Sequence, residues 1–137
     1  MRTADMAKRR FAALFDPEDV TFQQYNVLRI LRGAGPQGLP TLEIGERMIE
    51  RTPGVTRIVD RLVSKGWVER ERCTEDRRKV WCRITPSGRA LLARLDEPVA
   101  RADRELFDGF GDEALTRFIG TMDELRGRMD ERLGEEE

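Results

Sequence analysis

The stretch from Leu42 to Pro86, LEIGERMIERTPGVTRIVDRLVSKGWVERERCTEDRRKVWCRITP, decides the fold of this chain. Proline is favoured at a first helical position, so a helix is predicted to begin at Pro53 with Thr52 as its N-cap. Apolar side chains then recur at helical spacing, at Val55, Ile58, Val59, Leu62 and Val63. Such a helix packs its apolar stripe on a core and leaves the opposite face for solvent or a partner. Gly66 predicts the end of the helix.

After Gly66 the sequence period changes from that of a helix to that of a strand. Segments 67–73 and 79–85 contain strand-forming residues, and the polar loop Thr74–Arg78 joins them, so the pair predicts a β-hairpin. The loop has no Asn-Gly turn signal, so we expect it to be longer and more mobile than a tight turn. Another helix is predicted over residues 42–49, before the helix that begins at Pro53. Gly45 in this helix predicts a close approach between the two.

Helix, turn, helix and hairpin in this order predict a winged helix-turn-helix. A helix fits the DNA major groove, and an arginine-tipped hairpin can reach the neighbouring backbone or minor groove. Residues 47–89 carry 12 Lys and Arg against 6 Asp and Glu, whereas residues 90–137 carry 7 against 14. The positive block therefore coincides with the helix–turn–hairpin, which favours a nucleic-acid-facing centre over an ordinary charged surface.

Five fragments together resemble the MarR family of bacterial transcription regulators, in that family's order and spacing. They are Thr21–Leu28 (TFQQYNVL), Val55–Leu62 (VTRIVDRL), Lys65–Arg70 (KGWVER), Asp76–Arg78 (DRR) and Ile84–Gly88 (ITPSG). The expected fold is mainly α with a small β-hairpin wing (α+β). We expect residues 1–137 to form one MarR-like domain. It would hold a winged helix-turn-helix at about 21–86 and dimerisation helices at about 1–16 and 87–134.

The candidate DNA-binding residues follow from this arrangement. Arg57, on the exposed face of the second helix, could bond a guanine edge through two N–H groups. It could instead pair with Asp60 on a solvated helix. Asp76 and Arg78 are similar to a family pair in which the carboxylate holds an arginine that enters the minor groove; the alternative is a flexible charged loop. The full candidate set is Thr52, Pro53, Gly54, Thr56, Arg57, Arg61, Lys65, Asp76, Arg77, Arg78 and Lys79, with phosphate contacts expected for Arg61 and Lys65.

The flanking segments predict further helices. Residues 1–15 suggest an amphipathic helix that ends at Asp16-Pro17 and packs either on a partner or within the subunit. Thr21 with Gln24 predicts a capping box. A helix restarts after Thr85, with a kink or break expected near Pro98. Asp112 is expected to cap a last helix, which the acidic end 134–137 follows. That helix carries a nearly heptad stripe of Leu115, Phe118, Ile119, Met122, Leu125, Met129 and Leu133, which predicts a homodimer.

Composition limits the other classes of function. The chain has no histidine and two cysteines, so it offers no histidine-based zinc site and too few thiols for an all-cysteine site in one chain. Cys73 and Cys82 allow a cross-strand disulfide or redox switch, or two reduced thiols. No histidine base or Gly-rich phosphate loop supports catalysis, and no cofactor is expected. With no long apolar run and no apolar signal core at residues 1–5, we expect a cytoplasmic protein.

The resulting hypothesis is a dimeric, ligand-responsive repressor of transcription on a palindromic operator. The resemblance implies a small aromatic or phenolic effector that enters a cleft between the dimer helices and the winged helix. Two rivals stay open: a winged helix that serves as a protein-interaction module, and a thiol-based redox-sensing regulator.

Overall fold

Six helices and a small sheet make up the computed structural model, which describes residues 2–49 and 52–134, with side chains to residue 131. The helices are α1 (Arg2–Phe15), α2 (Phe22–Gly33), α3 (Thr41–Arg47), α4 (Val55–Ser64), α5 (Pro86–Leu106) and α6 (Asp112–Gly134). A 3₁₀ turn, Asp16–Glu18, follows α1. The strands are β1 (Leu39–Pro40), β2 (Val68–Arg72) and β3 (Val80–Ile84). The expected fold class, mainly α with a small β wing, is confirmed.

The chain divides into two compact units, residues up to Ala102 and residues from Asp103 onward. Expectations for the acidic end 135–137 and the side chain of Leu133 lie outside the described residues. The first unit holds the winged helix. The second holds the end of α5 and α6, with the large apolar side chains of α6 exposed.

Helix α2 begins as its sequence predicts. The Thr21 hydroxyl accepts the backbone N–H of Gln24 at 3.1 Å, and the Gln24 side chain accepts that of Thr21 at 3.1 Å. This capping box satisfies two N–H groups that a helix start otherwise leaves unpaired. The inner face of α2 lies at the centre of the core of the first unit. That core includes Phe15, Tyr25, Val27, Leu28, Leu31, Ile44, Val59, Leu62, Leu91, Leu92 and Leu95.

The C-terminal half of helix α1 packs within the subunit, which is one of the two alternatives that its sequence allowed. Phe15 is buried and stacks on Tyr25 with ring centroids 4.6 Å apart, while Phe11 and Leu14 pack at the edge of the core. Met6, five residues before Phe11, is exposed. The C-terminal half of α1 therefore belongs to the subunit core.

Helices α3 and α4 cross closely at Gly45. A Cβ placed there would lie 3.1 Å from Val55 Cγ2, so the predicted close approach is confirmed. Only Ile44 and Met48 of the apolar residues in this region are buried, whereas Leu42 and Ile49 are exposed. Leu42 is two positions from Ile44, which places it about 200° away around the helix, and Ile49 lies beyond the end of α3 at Arg47.

The start of α4 differs from the prediction. Val55 is the first helical residue, and Gly54 precedes it with φ −96° and ψ 17° as the N-cap. Pro53 and Gly54 instead form a turn, in which the Thr52 hydroxyl accepts the Gly54 N–H at 3.3 Å. Pro53 at the first helical position and Thr52 as N-cap were therefore wrong, because proline is also favoured at the second position of a β-turn.

The end of α4 matches the prediction. Gly66 has φ +75°, its N–H donates to Val63 O at 2.9 Å, and the Trp67 N–H donates to Leu62 O at 3.0 Å. These two bonds make the Schellman motif that a glycine after a helix permits. The chain then turns directly into β2.

The sheet contains a strand that the sequence did not predict. Strands β2 and β3 form the expected antiparallel hairpin, with Arg70 opposite Cys82, and β1 pairs with the other edge of β3. Strand β1 is only two residues long and contains Pro40, so no periodic pattern could indicate it. It holds the start of α3 against the wing.

Two further features of the helices differ from expectation: the course of α5 at Pro98 and the start of α6. Helix α5 starts after Thr85, whose hydroxyl accepts the Gly88 N–H, and then continues through Pro98 without a break. Proline removes one helical bond, and the flanking Leu95, Val99 and Ala102 are buried, so packing offsets that loss. Helix α6 starts at Asp112 itself, so the expectation that Asp112 is its N-cap was wrong; Gly111 holds that position, because its carbonyl accepts the Leu115 N–H at 3.1 Å.

The two cysteines are free and do not face each other. Cys73 lies one residue beyond the Arg72–Val80 pair, three positions from Cys82 along the ladder. Three strand positions span about 10 Å, beyond the roughly 7 Å Cα separation that a disulfide tolerates. Cys82 is fully buried, and Thr41 Oγ1 lies 3.5 Å from its sulfur. Burial raises the pKa of the Cys82 thiol above its usual range. These observations disfavour a Cys73–Cys82 disulfide within one subunit and a reactive thiol at Cys82.

Two bidentate ion pairs tie α5 to earlier elements. Arg32 of α2 donates to both carboxylate oxygens of Asp96 at 2.9 and 3.0 Å, and Arg94 donates to both of Glu18 at 2.9 and 3.1 Å. The hydrogen bond from Arg94 lowers the pKa of the Glu18 carboxyl below its ordinary 4.5. The bond from Arg32 lowers the pKa of the Asp96 carboxyl below 3.8.

These pairs predict an acid-dependent part of the stability. A carboxyl group whose pKa is lowered by folding stabilises the native state above its unfolded pKa, and that contribution disappears as the pH falls through the folded pKa. The double variant Glu18→Gln, Asp96→Asn lacks this contribution at every pH. Urea unfolding from pH 7 to pH 3 should show wild type more stable above pH 4.5, with the difference shrinking below it. A difference that stayed constant down to pH 3 would contradict this account.

The burial of Cys82 predicts unequal thiol reactivity. In native protein at neutral pH, Ellman's reagent should titrate the half-buried Cys73, and Cys82 should react only after denaturation. The variant Cys73→Ser should show no reaction until it is unfolded. If Cys82 reacted in the native variant as fast as Cys73 does in wild type, the buried position would be wrong.

Candidate nucleic-acid interface

The outer face of α4 presents two arginines without an ion-pair partner in the described part of the chain. Arg57 and Arg61 are exposed, one turn apart, opposite the buried Val59 and Leu62. Thr56 is exposed beside them, and the turn residues Thr52, Pro53 and Gly54 lead into the same end of the helix. The structure thus brings these six candidate residues together at the start and outer face of α4.

Asp60 does not neutralise Arg57, which was the alternative for that arginine. Its carboxylate bonds instead to Arg70 of β2, with Asp60 Oδ1 2.6 Å from Arg70 Nη1. This pair connects the recognition face of α4 to the wing. It also takes the one acidic side chain of α4 away from the two arginines.

Lys65 behaves differently from the other basic candidates. Its ammonium pairs with Asp19 Oδ2 at 3.1 Å, donates to the Asp19 carbonyl, and lies 4.9 Å from the centre of the Trp67 ring. Its side chain is 24% exposed. Lys65 therefore makes contacts within the protein, and the structure does not place it with Arg57 and Arg61.

The tip of the wing is an ordered turn built on Asp76. The Asp76 carbonyl accepts the Lys79 N–H at 3.0 Å, and the Asp76 carboxylate accepts the backbone N–H of Arg78 at 3.1 Å. Aspartate is favoured at the first position of such a turn because its side chain bonds the backbone two residues on. Arg77 and Arg78 occupy the two central positions and are exposed, as is Lys79.

The expected link between Asp76 and Arg78 needs a correction. The carboxylate holds the backbone of Arg78, and no ion pair between the carboxylate and the guanidinium is present. The loop also contains the Asp76–Lys79 backbone bond, at 3.0 Å. Asp76 shapes the turn, and the turn then exposes the arginine side chains.

Three long-range contacts in this region escaped sequence reasoning. They are the Asp60–Arg70 pair, the Lys65–Asp19 pair, and a 3.0 Å bond from the Ile49 N–H to Asn26 Oδ1 that ties the chain after α3 to α2. Each joins residues at least ten positions apart, so no local period could have found them. The sequence showed only that acidic residues occur within and near the basic segment 47–89.

A shallow groove of about 290 Å³ lies on the wing. It is lined by Gln37, Glu71, Arg72, Cys73, Thr74, Trp81 and Arg83. Arg83 makes its contacts within this groove, because its guanidinium pairs with Glu71 at 2.5 Å and donates to Gln37 O at 3.2 Å. Among the described residues there is no cluster of three or more potential metal ligands, and no helix is long and apolar enough to cross a membrane.

The comparisons with known proteins agree with this geometry. The MarR family model matches residues 20–80. The uncharacterized HTH-type transcriptional regulator YpoP of Bacillus subtilis is 30% identical over 112 residues, which are 79% of this chain and 75% of that protein.

Two solved structures are similar over most of both chains. A MarR transcription factor from Planctomyces limnophilus is 36% identical with a TM-score of 0.71, covering 89% of this chain and 88% of its own. A mutant MarR from E. coli complexed with operator DNA is 26% identical with a TM-score of 0.80, covering 89% and 86%. The motifs, the fold and these relatives together show that this chain belongs to the MarR family of transcriptional regulators.

Proposed function

We propose that this protein binds double-stranded DNA as a homodimer and represses transcription from a palindromic operator until a small effector releases it. One observation carries the proposal. The basic side chains on the outer face of α4 and at the wing tip are exposed and unpaired in the described chain, while the carboxylates of Asp60, Glu71 and Asp76 are bonded elsewhere. The relative bound to operator DNA supports it.

In the proposed complex α4 lies in the major groove. Arg57 reads a guanine edge, and Arg61, one turn further along, meets a phosphate. Thr56 and the turn residues Thr52, Pro53 and Gly54 lie against the groove, where Gly54 permits close backbone approach. At the wing, Arg78 enters the minor groove, and Arg77 and Lys79 lie near the backbone. Lys65 is assigned to the fold rather than to phosphate because Asp19 already holds it.

The apolar stripe of α6 supports the homodimer. Phe118, Ile119, Met122, Leu125 and Met129 are each between 42% and 58% exposed in the single chain. A soluble protein seldom exposes so long an apolar surface unless a partner covers it. We therefore propose that the helices at about 1–16 and 87–134 join two subunits, each with a winged helix at about 21–86. Two-fold symmetry then matches half-sites about one DNA turn apart.

The effector step rests on the family resemblance. A small aromatic or phenolic molecule would bind the dimer better in a state whose two α4 helices no longer match the spacing of the half-sites. By linkage, its binding weakens DNA binding to the same degree.

The first prediction concerns Arg57. Arg57→Ala should cost about 1–3 kcal/mol on the preferred site and relax the preference at one base position. The measurement is a titration of a duplex selected from a random library, beside a random duplex of equal length. Arg101→Ala removes the same charge from α5 and should change little. An equal loss on selected and random DNA would make Arg57 a phosphate contact only.

The second prediction concerns the wing. Arg78→Ala should weaken DNA binding and reduce the salt slope by about 1, because one cationic contact is lost. Asp76→Ala should weaken binding less, since it loosens the turn and leaves the arginines in place. Asp76→Asn keeps the Oδ1 acceptor for the Arg78 N–H and should bind at least as well as wild type. Unchanged binding for both Arg78→Ala and Asp76→Ala would remove the wing from the mechanism.

The third prediction concerns assembly. Met122→Glu with Leu125→Glu should produce a monomer with much weaker specific binding, because each half-site alone supplies only part of the contacts. Thr116→Glu with Gly127→Glu adds the same charge to the opposite face of α6 and should leave the dimer intact. Light scattering measures the mass of each variant in solution. A wild-type mass near 15.8 kDa, that of one chain, at micromolar concentration would refute the dimer.

A further inference from the structure

The turn between α1 and α2 contacts the C-terminal end of α4 through one lysine. Lys65 is the C-cap of α4, and its ammonium has three N–H groups. One pairs with the Asp19 carboxylate and another with the Asp19 carbonyl, while the Trp67 ring lies under the charge. The lysine is therefore held from three sides at the point where the recognition helix passes into the wing.

Asp19 has a backbone conformation that is uncommon outside glycine, although aspartate is among the residues that adopt it. With φ 52° and ψ 44° it is the one non-glycine residue of the described chain in the left-handed region. Glycine would adopt this conformation with less strain. The carboxylate is 94% exposed, so burial in the core does not account for an aspartate here. What the side chain adds is its contact with Lys65.

The same turn is fixed on its other side. Glu18, the preceding residue, bonds Arg94 of α5 through both carboxylate oxygens. Adjacent residues thus connect α5 to the turn and the turn to the end of α4. Exposed ion pairs of this kind add little to overall stability. Their geometric effect is larger, because a bidentate pair and a three-sided lysine site each restrict orientation.

We infer that Asp19 is a positioning residue for DNA recognition: through Lys65 it fixes the C-terminal end of α4, and through its neighbour Glu18 it couples that end to α5. This inference rests on the proposed DNA binding. Arg57 and Arg61 are on the helix whose end Asp19 holds. Small changes in the tilt of α4 would therefore affect base contacts, which need defined geometry, more than phosphate contacts, which tolerate adjustment.

The test compares matched charge removals within the turn. Asp19→Asn keeps a residue that tolerates the left-handed conformation and removes the charge. Asp16→Asn removes the same charge from an exposed carboxylate three residues earlier, away from Lys65. The DNA probes are a duplex selected from a random library with wild-type protein and a random-sequence duplex of the same length. Each is titrated at several salt concentrations, and thermal unfolding is recorded alongside.

Asp19→Asn should bind the selected duplex about three- to tenfold more weakly than Asp16→Asn, a range typical of coupled neighbours. Its binding to the random duplex and its salt slope should stay at the wild-type values. Lys65→Gln should have the same effect, and the double variant Asp19→Asn, Lys65→Gln should be no weaker than either single one.

Two results would overturn the inference. Equal behaviour of Asp19→Asn and Asp16→Asn would show that the contact does not position α4. Tighter binding of Asp19→Asn to both duplexes, with a steeper salt slope, would show that a released Lys65 binds phosphate. Failure of the wild-type protein to enrich any DNA is a different outcome, because it would reject the proposed function itself.

Discussion

The close crossing of α3 and α4 is the constraint on which the rest of the winged helix depends. Gly45 lets Val55 approach so closely that an added Cβ would lie 3.1 Å from Val55 Cγ2, and the valine side chain would have to shift to make room for it. That approach lets Ile44, Val59 and Leu62 share one core and leaves the opposite side of α4 outside it. The Gly66 turn then directs the chain into β2, so the wing and the outer face of α4 belong to one continuous structure.

The contacts of the acidic side chains determine which basic groups stay exposed on the outer face of α4 and on the wing. The region from 47 to 89 contains twice as many basic as acidic residues, and the structure removes several of its acidic groups from the outer face. Asp60 bonds Arg70, Glu71 bonds Arg83, and the Asp76 carboxylate bonds a backbone N–H. Arg57 and Arg61, together with the basic residues at the wing tip, remain available for an anionic polymer. Each of these acidic residues thus has a structural contact of its own, apart from any that DNA would make.

Much of this architecture could be predicted from residue patterns, and the exceptions share a cause. The stripes of α2, α4 and α5, the capping box at Thr21 and the turn at Gly66 are local features that a few neighbouring residues determine. Strand β1 forms only because β3 lies beside it, and α5 passes through Pro98 because its flanking side chains are buried. Lys65 looked like a phosphate contact because Asp19 is 46 positions away in sequence. The sequence predicted which residues form the candidate site, from their charge and their position on the exposed face of a helix. The ion pairs among these residues could be identified only in the folded structure.

The central claim is that the exposed cations of α4 and the wing bind DNA phosphates and bases together. The most direct measurement is the dependence of the binding constant on salt concentration, for a duplex enriched by this protein from random DNA. Each phosphate contact contributes about −0.9 to the slope of log K against log salt. We expect a steep slope that corresponds to several such contacts, together with a clear preference for the enriched duplex over a random one. A slope near zero, or no enrichment of any sequence, would contradict it and leave this surface to a protein partner.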